Sequence, residues 1–323
     1  MSYYTGGHTG GLSPSTVKTA VDGFMFDSEQ ERSNQPSYVG ATNDLFFKTS
    51  PIDLRAFIFE EDAGVPNLET VAEQGEIPVV NTFTGNQKTI NLAKRAFDLP
   101  VSWEAFMVGG KGAQKRQMLG SQIADAVVRS RDLNALITTY GDAFDGTYNK
   151  CPDGVALASN SHVTLRGNTV DNLETGALTA DVMWNGFVSL QQQLGQTGEV
   201  AGYLPAGVLT SSSQYKKAKE ILKSEAIAGS AENNLNIFET DYGPVAIGQS
   251  PFLNSARDAG TYKATGVHIV SREHNIMRKV FSDYVSEMIE PKYTKTHSYV
   301  YRALYDETAF PGGYSGYVGL TGA

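Results

Sequence analysis

Cysteine is all but missing from this chain of 323 residues. Cys151 stands alone, so no intrachain disulfide can form, and neither a disulfide scaffold nor a four-cysteine zinc site is available. That usage fits folding in a reducing or neutral compartment. Charge is scarce as well: Asp, Glu, Lys and Arg make up 19% of the residues, below the roughly 25% usual in globular chains. What charge there is leans acidic, with 26 basic and 35 acidic residues. A dedicated nucleic-acid binder carries a basic face to neutralise phosphates, and the acidic balance argues against that class. No apolar run approaches the roughly 18 residues that span a bilayer, so no membrane segment is expected. The first thirty residues lack the basic-then-apolar order of a signal peptide. Self-similarity at a period of about 20–50 residues is absent too, which argues against solenoids, propellers and repeat-built fibres.

Catalytic patterns fail at identifiable positions. Gly110-Lys111 is the nearest approach to a P-loop, but Ala105 occupies the place of its first glycine and Gly112 that of its hydroxyl ligand to magnesium. No G-x-G-x-x-G follows a strand. The five histidines (His8, His162, His268, His274, His297) include no H-x-x-x-H pair. Asp142, Asp145 and Asp153 surround a Gly-rich turn, yet Phe144 sits where a calcium loop needs a ligand; turn chemistry accounts for them. Cys151 with His162 would make a thiol–imidazole pair, but the loop-like sequence between them gives it no geometric support. Lys216, Lys217, Lys219 and Lys223 read as a solvated helix face, with contact to phosphates the alternative. No catalytic, cofactor-binding or metal-binding residue is therefore assigned, and no cofactor is expected.

What is present is a 41% apolar chain with 33 glycines, enough for a sizeable core. Residues 1–16 are Gly, Ser and Thr with two tyrosines and read as a flexible arm; the chain stays polar to about Ser50. Such a start makes more sense lying along another surface than inside a compact domain. Ile77, Val79, Asn81 and Phe83 alternate with their neighbours, and across Thr84-Gly85-Asn86-Gln87 the pattern resumes at Ile90 and Leu92, a hairpin signal. Polar residues on both faces suit a hairpin that stands out from the body and is poorly packed on it. A long helix is expected from Ala113 to about Tyr140, on the order of 40 Å, with Leu119, Ile123, Ala126, Leu133 and Ile137 on one face. Residues 146–177 read as short strands and loops. Thr179 caps a second helix with a Val182, Met183, Phe187, Leu190, Leu194 stripe, and Ser211–Ser213 start a third. Strands are expected at 203–210, 235–239, 244–248, 266–271, 279–286 and Tyr293–Tyr305, before a Gly/Tyr-rich tail. The tyrosines of 293–305 suit an interface or core better than base stacking. Helices and strands mix without a βαβ rhythm, so the class is α+β.

That order, with several local stretches, resembles the major capsid proteins of tailed double-stranded DNA bacteriophages, of Hong Kong 97-type fold, in their Mu-like branch. Gly75-Glu76-Ile77-Pro78 leading into Phe83-Thr84-Gly85 is similar to the family's extended E-loop, and Leu99-Pro100-Val101-Ser102-Trp103-Glu104 to its exit. Asp153-Gly154-Val155-Ala156-Leu157-Ala158-Ser159-Asn160-Ser161-His162 resembles its DGKALFSTSH segment. Leu204-Pro205-Ala206-Gly207-Val208-Leu209 with Ala218–Leu222 looks like its LLVPP…A…LL region. The order of these motifs, from about residue 45 onward, carries the resemblance.

The resemblance implies an N-terminal arm (1–50), an E-loop region (57–103), a peripheral domain (104–177 and 285–310) on a spine helix at about 113–140, an axial domain (178–284) and a C-terminal tail (311–323). It implies a non-enzymatic head protein, made in the host cytoplasm and built into the virion. There it would assemble with itself into pentamers and hexamers of an icosahedral shell around double-stranded DNA, touched only non-specifically. No long helical segment precedes the arm, so a separate scaffolding protein or a processed precursor is expected; portal and decoration proteins are further implied partners. Some relatives crosslink a loop lysine to a neighbour's asparagine, for which Lys88 or Lys94 would serve, although lysines are common on exposed hairpins. The rival within the fold is an encapsulin-like nanocompartment, which needs a cargo-peptide pocket that the sequence does not reveal.

Lys111, Lys115 and Arg116 crowd the start of the long helix, where about +0.5 of a charge already resides and each cation costs some tenths of a kcal/mol. The expected counter-charge is Glu60-Glu61-Asp62, from the same chain or a neighbour; reaching into water is the alternative. Salt should weaken assembly through a boundary ion pair. A Lys115→Ala, Arg116→Ala protein, followed by light scattering from low to high salt, should lose that dependence. Identical salt curves for both proteins would leave these cations merely solvated.

Overall fold

The computed structural model describes residues 37–61, 64, 84–102, 112–224, 238, 241–254, 264–289 and 298–322. In chain order they form strands β1 (Lys48–Pro51), β2 (Ala56–Glu60), β3 (Gln87–Asn91) and β4 (Ala93–Ser102), then helix α1 (Gly112–Leu136), which runs into a π-helical turn at Ile137–Gly141. Short strands β5 (His162–Val163), β6 (Thr169–Val170) and β7 (Leu173–Ala177) lead to helix α2 (Ala180–Gln192), strand β8 (Pro205–Ser211) and helix α3 (Tyr215–Lys223). Strands β9 (Ala246–Ser250), β10 (Val267–Ser271), β11 (Ile276–Ile289), β12 (Ser298–Pro311) and β13 (Tyr317–Gly322) follow. The class is α+β, as expected. Two compact units emerge: Ala93–Arg131 with Val280–Glu307, and Pro36–Leu92 with Asp132–Lys279 and Thr308–Ala323.

In the first unit β4 pairs antiparallel with β12, from Ser298 opposite Ser102 to Glu307 opposite Ala93. Arg302 lies across from Asp98 and grips it with two bonds, Nε to Oδ1 at 2.8 Å and Nη2 to Oδ2 at 2.9 Å. The buried stripe of α1 matches the expected one only in part: Ile123, and Ile137 in the turn that follows, are buried as expected. Ile123, Ala124, Val127, Val128, Arg131, Asp132, Ala135 and Leu136 are buried, whereas Ala126 and Leu133 are only half-buried. Two charged residues belong to the stripe because each has a partner. Arg131 Nε lies 3.5 Å from Glu307 Oε2 in this unit, and Asp132 accepts from the Ala41 amide at 2.8 Å and from the Tyr38 hydroxyl in the other. The helix ends in a wide turn where the hydroxyls of Thr138 and Thr139 bond back to the carbonyls of Asn134 (2.8 Å) and Ala135 (2.6 Å). Such back-bonding competes with the regular ladder.

The second unit is built on a five-stranded sheet in the order β7-β13-β10-β8-β9. Period-two alternation sends neighbouring residues into two different cores. Val208, Val267, Ile269, Val318 and Leu320 face Met183, Phe187 and Leu190 of α2 and Ala218 and Leu222 of α3. Leu209, Val270 and Tyr317 face Phe46, Phe47, Tyr140 and Leu157 on the other side. Gly186 lets α2 settle onto the sheet: a Cβ there would stand 2.7 Å from Ile269 Cδ1. Tyr140, fully buried, donates to the Phe46 carbonyl at 2.6 Å. His268 lies against the rings of Tyr140 and Tyr317, with Nδ1 2.7 Å from the Tyr317 hydroxyl, and burial holds its pKa down at about 3. At the β9 edge, Ser37–Val39 lie alongside: Val39 donates to the Gln249 carbonyl at 2.9 Å and Gln249 to that of Ser37 at 2.5 Å.

Thr179 caps α2 as expected, its hydroxyl accepting from the Val182 amide at 3.2 Å. The helix stops at Gln192, so Leu194 lies beyond it. Ser211 and Ser213 do not cap α3; their hydroxyls bond the Ala264 carbonyl at 2.6 and 2.9 Å, and the cap position falls to Gln214. Phe238 is helical, not part of a strand, and the rest of 235–239 lies outside the described residues. The last long strand runs Ser298–Pro311, later than expected; Tyr301 and Tyr305 are core residues, while residues 293–297 are not described. The largest correction concerns the tail. Tyr317–Gly322 is a wholly buried strand between β7 and β10, because alternate Tyr, Val and Leu side chains have a core to enter on each face. Leu320→Ala should therefore cost about 2–5 kcal/mol in urea unfolding. A chain stopped at Ser315 should show no cooperative transition, whereas a dispensable tail would leave both curves unchanged.

Candidate functional site

The 76–83 segment that the sequence suggests as the partner of β3 lies outside the described residues; among those described, β3 has a different partner. Its partner is β2, antiparallel, from Ala56 opposite Asn91 to Glu60 opposite Gln87. Glu61 N bonds the Asn86 carbonyl at 3.0 Å and continues the ladder by one step. The hairpin stem is not detached from its own subunit. Phe57 and Phe59 pack on Phe310, with ring centroids 6.2 and 5.3 Å apart, and Ile90 beside them is buried. The opposite face presents Ala56, Glu60, Gln87, Thr89, Asn91 and Ile58, the last 67% exposed. Deleting Gly85–Lys88 would thus damage the subunit, contrary to the free-standing hairpin expected from sequence.

The base of this stem holds a buried group of ionisable side chains. Glu61 follows Phe57 and Phe59 on the inward parity and is only 2% exposed. Two glycines make room for it: a Cβ on Gly313 would come within 2.2 Å of its Oε1, and one on Gly85 within 1.9 Å of its carbonyl oxygen. Burial pushes the Glu61 carboxyl up to about 7, and the charge of Asp153 adds to this, while hydrogen bonds from Gln196 and Asn86 pull the other way. Burial, with the negative charges of Asp153 and Glu61, also drives the Cys151 thiol up, and the Tyr314 phenol is raised by burial and by Glu61 and Asp153. Burial lowers Lys88, whose ammonium donates to the Lys150 carbonyl.

His162 is fully buried beneath Tyr314, ring centroids 4.8 Å apart. Its Nδ1 is 2.6 Å from Asp153 Oδ2 and its Nε2 is 3.2 Å from the Leu157 carbonyl. Both nitrogens are thus occupied by groups other than Cys151, whose buried thiol is the opposite of an activated nucleophile. Nor do the three aspartates converge. Asp142 takes the amides of Thr147, Tyr148 and Asn149 at 2.7–2.8 Å, which is turn chemistry, while Asp153 serves His162. Among the described residues no three His, Cys, Asp or Glu side chains gather as metal ligands. Lys216, Lys217 and Lys219 are exposed, as a solvated face requires, and Lys94 is exposed on β4. Lys111 and Asp62 fall outside the described residues. Glu60 is exposed near Gln87, and Glu61 is turned inward.

Among the described residues this arrangement fastens the loop stem to the body. Sequence reading passed over Glu61 as one member of an acidic run. The signal that marks it is parity: Phe57, Phe59 and Glu61 alternate onto the buried face. A carboxyl raised from 4.5 to about 7 on folding leaves the subunit fully stable below pH 4.5 and weakens it as pH rises toward 7. The loss is on the order of 3 kcal/mol. Glu61→Gln should remove it, so urea midpoints of mutant and wild type should agree near pH 4.5 and diverge by pH 8 in the mutant's favour. Parallel curves at all pH values would show that Glu61 is ionised without penalty.

No protein-family model matches the chain, and no curated protein sequence does. Solved structures do. A virus-like particle from Pyrococcus furiosus matches with a TM-score of 0.53 at 8% identity, over 94% of this chain and 98% of that one. The capsid of a native GTA particle gives 0.54 at 11% identity, over 87% and 89%. A structure of Mycobacterium phage Bobi gives 0.52 at 14% identity, over 88% and 90%. At such identities the likeness is one of fold, and the fold is the Hong Kong 97-type capsid fold.

Proposed function

We propose that this chain is the major capsid protein of a tailed double-stranded DNA bacteriophage, assembling into pentamers and hexamers of an icosahedral shell. The observation that carries the reading is the match, over 87–94% of the chain, to chains of two particles and a phage. The hairpin stem supports it, since its largely polar outer face and the strand edges that have no partner among the described residues are a liability in a monomer and are covered when subunits meet. The acidic balance suits a container whose contents must not adhere to its wall. In this reading the arm lies within residues 1–50, its last stretch from Val39 to Phe47 entering the core of the larger unit; 57–103 is the E-loop region with its stem at β2 and β3, and α1 the spine. The five-stranded sheet with α2 and α3 is the axial part, and it takes in the C-terminal strand once expected as a tail. A separate scaffold, a portal and decoration proteins are the partners this role entails, and the virion is its location.

A second reading, a non-viral shell, is favoured by the match to a virus-like particle from Pyrococcus furiosus. One preparation separates them. The purified protein should give rings or megadalton particles by sizing and negative-stain microscopy. Particles from the native source should enclose nuclease-protected double-stranded DNA. Particles holding protein cargo and no DNA would favour the second reading. A monomer at every concentration and salt would overturn both.

A further inference from the structure

The two ends of the five-stranded sheet are oppositely charged. α2 lies over β7 and β13, and α3 over β8 and β9, on the same face. Around α3 stand Lys216, Lys217 and Lys219, all exposed, and the half-buried Lys223. The single acid of that helix, Glu220, lies 3.7 Å from Lys216. The β7 end carries Asp171 and Asp181, both exposed, and the half-buried Glu174, and no lysine or arginine occurs from Asp171 to Gln192. Four strand spacings separate the ends, about 19 Å at roughly 4.8 Å each. That is about twice the Debye length of roughly 8–10 Å in physiological salt. Within one subunit the two poles are too distant to neutralise each other; between copies they can touch.

We infer that the lysine face of α3 docks on the acidic β7–α2 end of a second copy, a head-to-tail contact that repeats around a ring. This rests on the shell reading and assigns one of its interfaces. A contact between two different patches either closes a ring or continues as a filament, because every subunit offers one pole and receives the other. The charges set register and encounter rate more than raw affinity, so the ring is the first stage of assembly to weaken with salt. Nucleic acid is the other partner a lysine face suits, but the acids at the opposite end of the same sheet have no role in that alternative.

The test uses two charge reversals of the full chain. One protein carries Lys216→Glu, Lys217→Glu and Lys219→Glu and is acidic at both poles; the other carries Asp171→Lys and Asp181→Lys and is basic at both. Circular dichroism and urea midpoints verify that each is folded, and the lysine triple, on an exposed helix face, carries the test should the other fail to fold. Each reversal alone should raise the concentration needed for rings by about tenfold or more, as several rim pairs become repulsive. Mixing the two folded proteins in equal amounts should restore rings of even number only, hexamers without pentamers by native mass spectrometry, since the two kinds must alternate. A single chain carrying all five changes should restore both. If wild type forms rings and the reversals form them equally well, with or without losing bound DNA, the inference fails while the shell reading stands. If wild type itself never assembles, the shell reading falls and the inference with it.

Discussion

Everything in the larger unit depends on one strand having two faces to bury. β13 sits between β7 and β10, sending Tyr317 into one core and Val318 and Leu320 into the other. The turn before it is equally determined. Gln193 holds that turn from the C-cap position of α2, its amide donating to the carbonyls of Tyr314 (3.3 Å) and Tyr317 (3.1 Å) and its oxygen accepting from the Gly316 amide at 2.8 Å. At Gly316, with φ of 72°, a Cβ would stand 2.9 Å from the backbone of His274. The strand is contributed by residues more than 100 positions from its partners in β7 and α2, so the sheet closes only after long-range search, a slow step in chains of this topology.

The same stretch of chain reaches the hairpin base. Phe310 supports Phe57 and Phe59, Gly313 makes room for Glu61, and Tyr314 covers His162. The polar cluster there is therefore a consequence of packing a loop stem against the core, with a carboxyl caught beneath it. Burial, helped by the charge of Asp153, makes that carboxyl hold its proton near neutral pH.

Residue pattern revealed much of this fold, and its failures are instructive. Helix α2, its Thr179 cap, and strands β8 to β10 follow from local signals: a capping hydroxyl, a 3.6-residue stripe, runs of Val, Ile and Leu. The buried face of α1 is legible at Ile123 and Ile137 but not at Arg131 and Asp132, which look like surface residues until Glu307, Tyr38 and the Ala41 amide are brought to them by the fold. The pairing of β2 with β3 is not legible because the turn-like Thr84-Gly85-Asn86-Gln87 draws attention to the segment just before it, whereas β2 lies some thirty residues upstream. Tyr317–Gly322 looked like a tail because its glycines dilute the apolar signal. Of the candidate site, the aspartates were rightly read as turn residues for Asp142, but Glu61 and Gln196 carried no motif at all. The meaning of Glu61 arises only when Gly85 and Gly313 close around it.

The short segment Ser37–Val39 along β9 has a wider consequence. Sheets merge into fibrils when each subunit offers two open edges, because growth must continue from both sides. Here the β9 edge is already occupied by the chain's own backbone, and among the described residues only β7 lacks a neighbour on its outer side. Edge-to-edge joining of this sheet would therefore stop at a pair. Any larger assembly must grow through surfaces other than the edges of this sheet, and a shell joined by many weaker contacts can come apart and correct its errors while it grows.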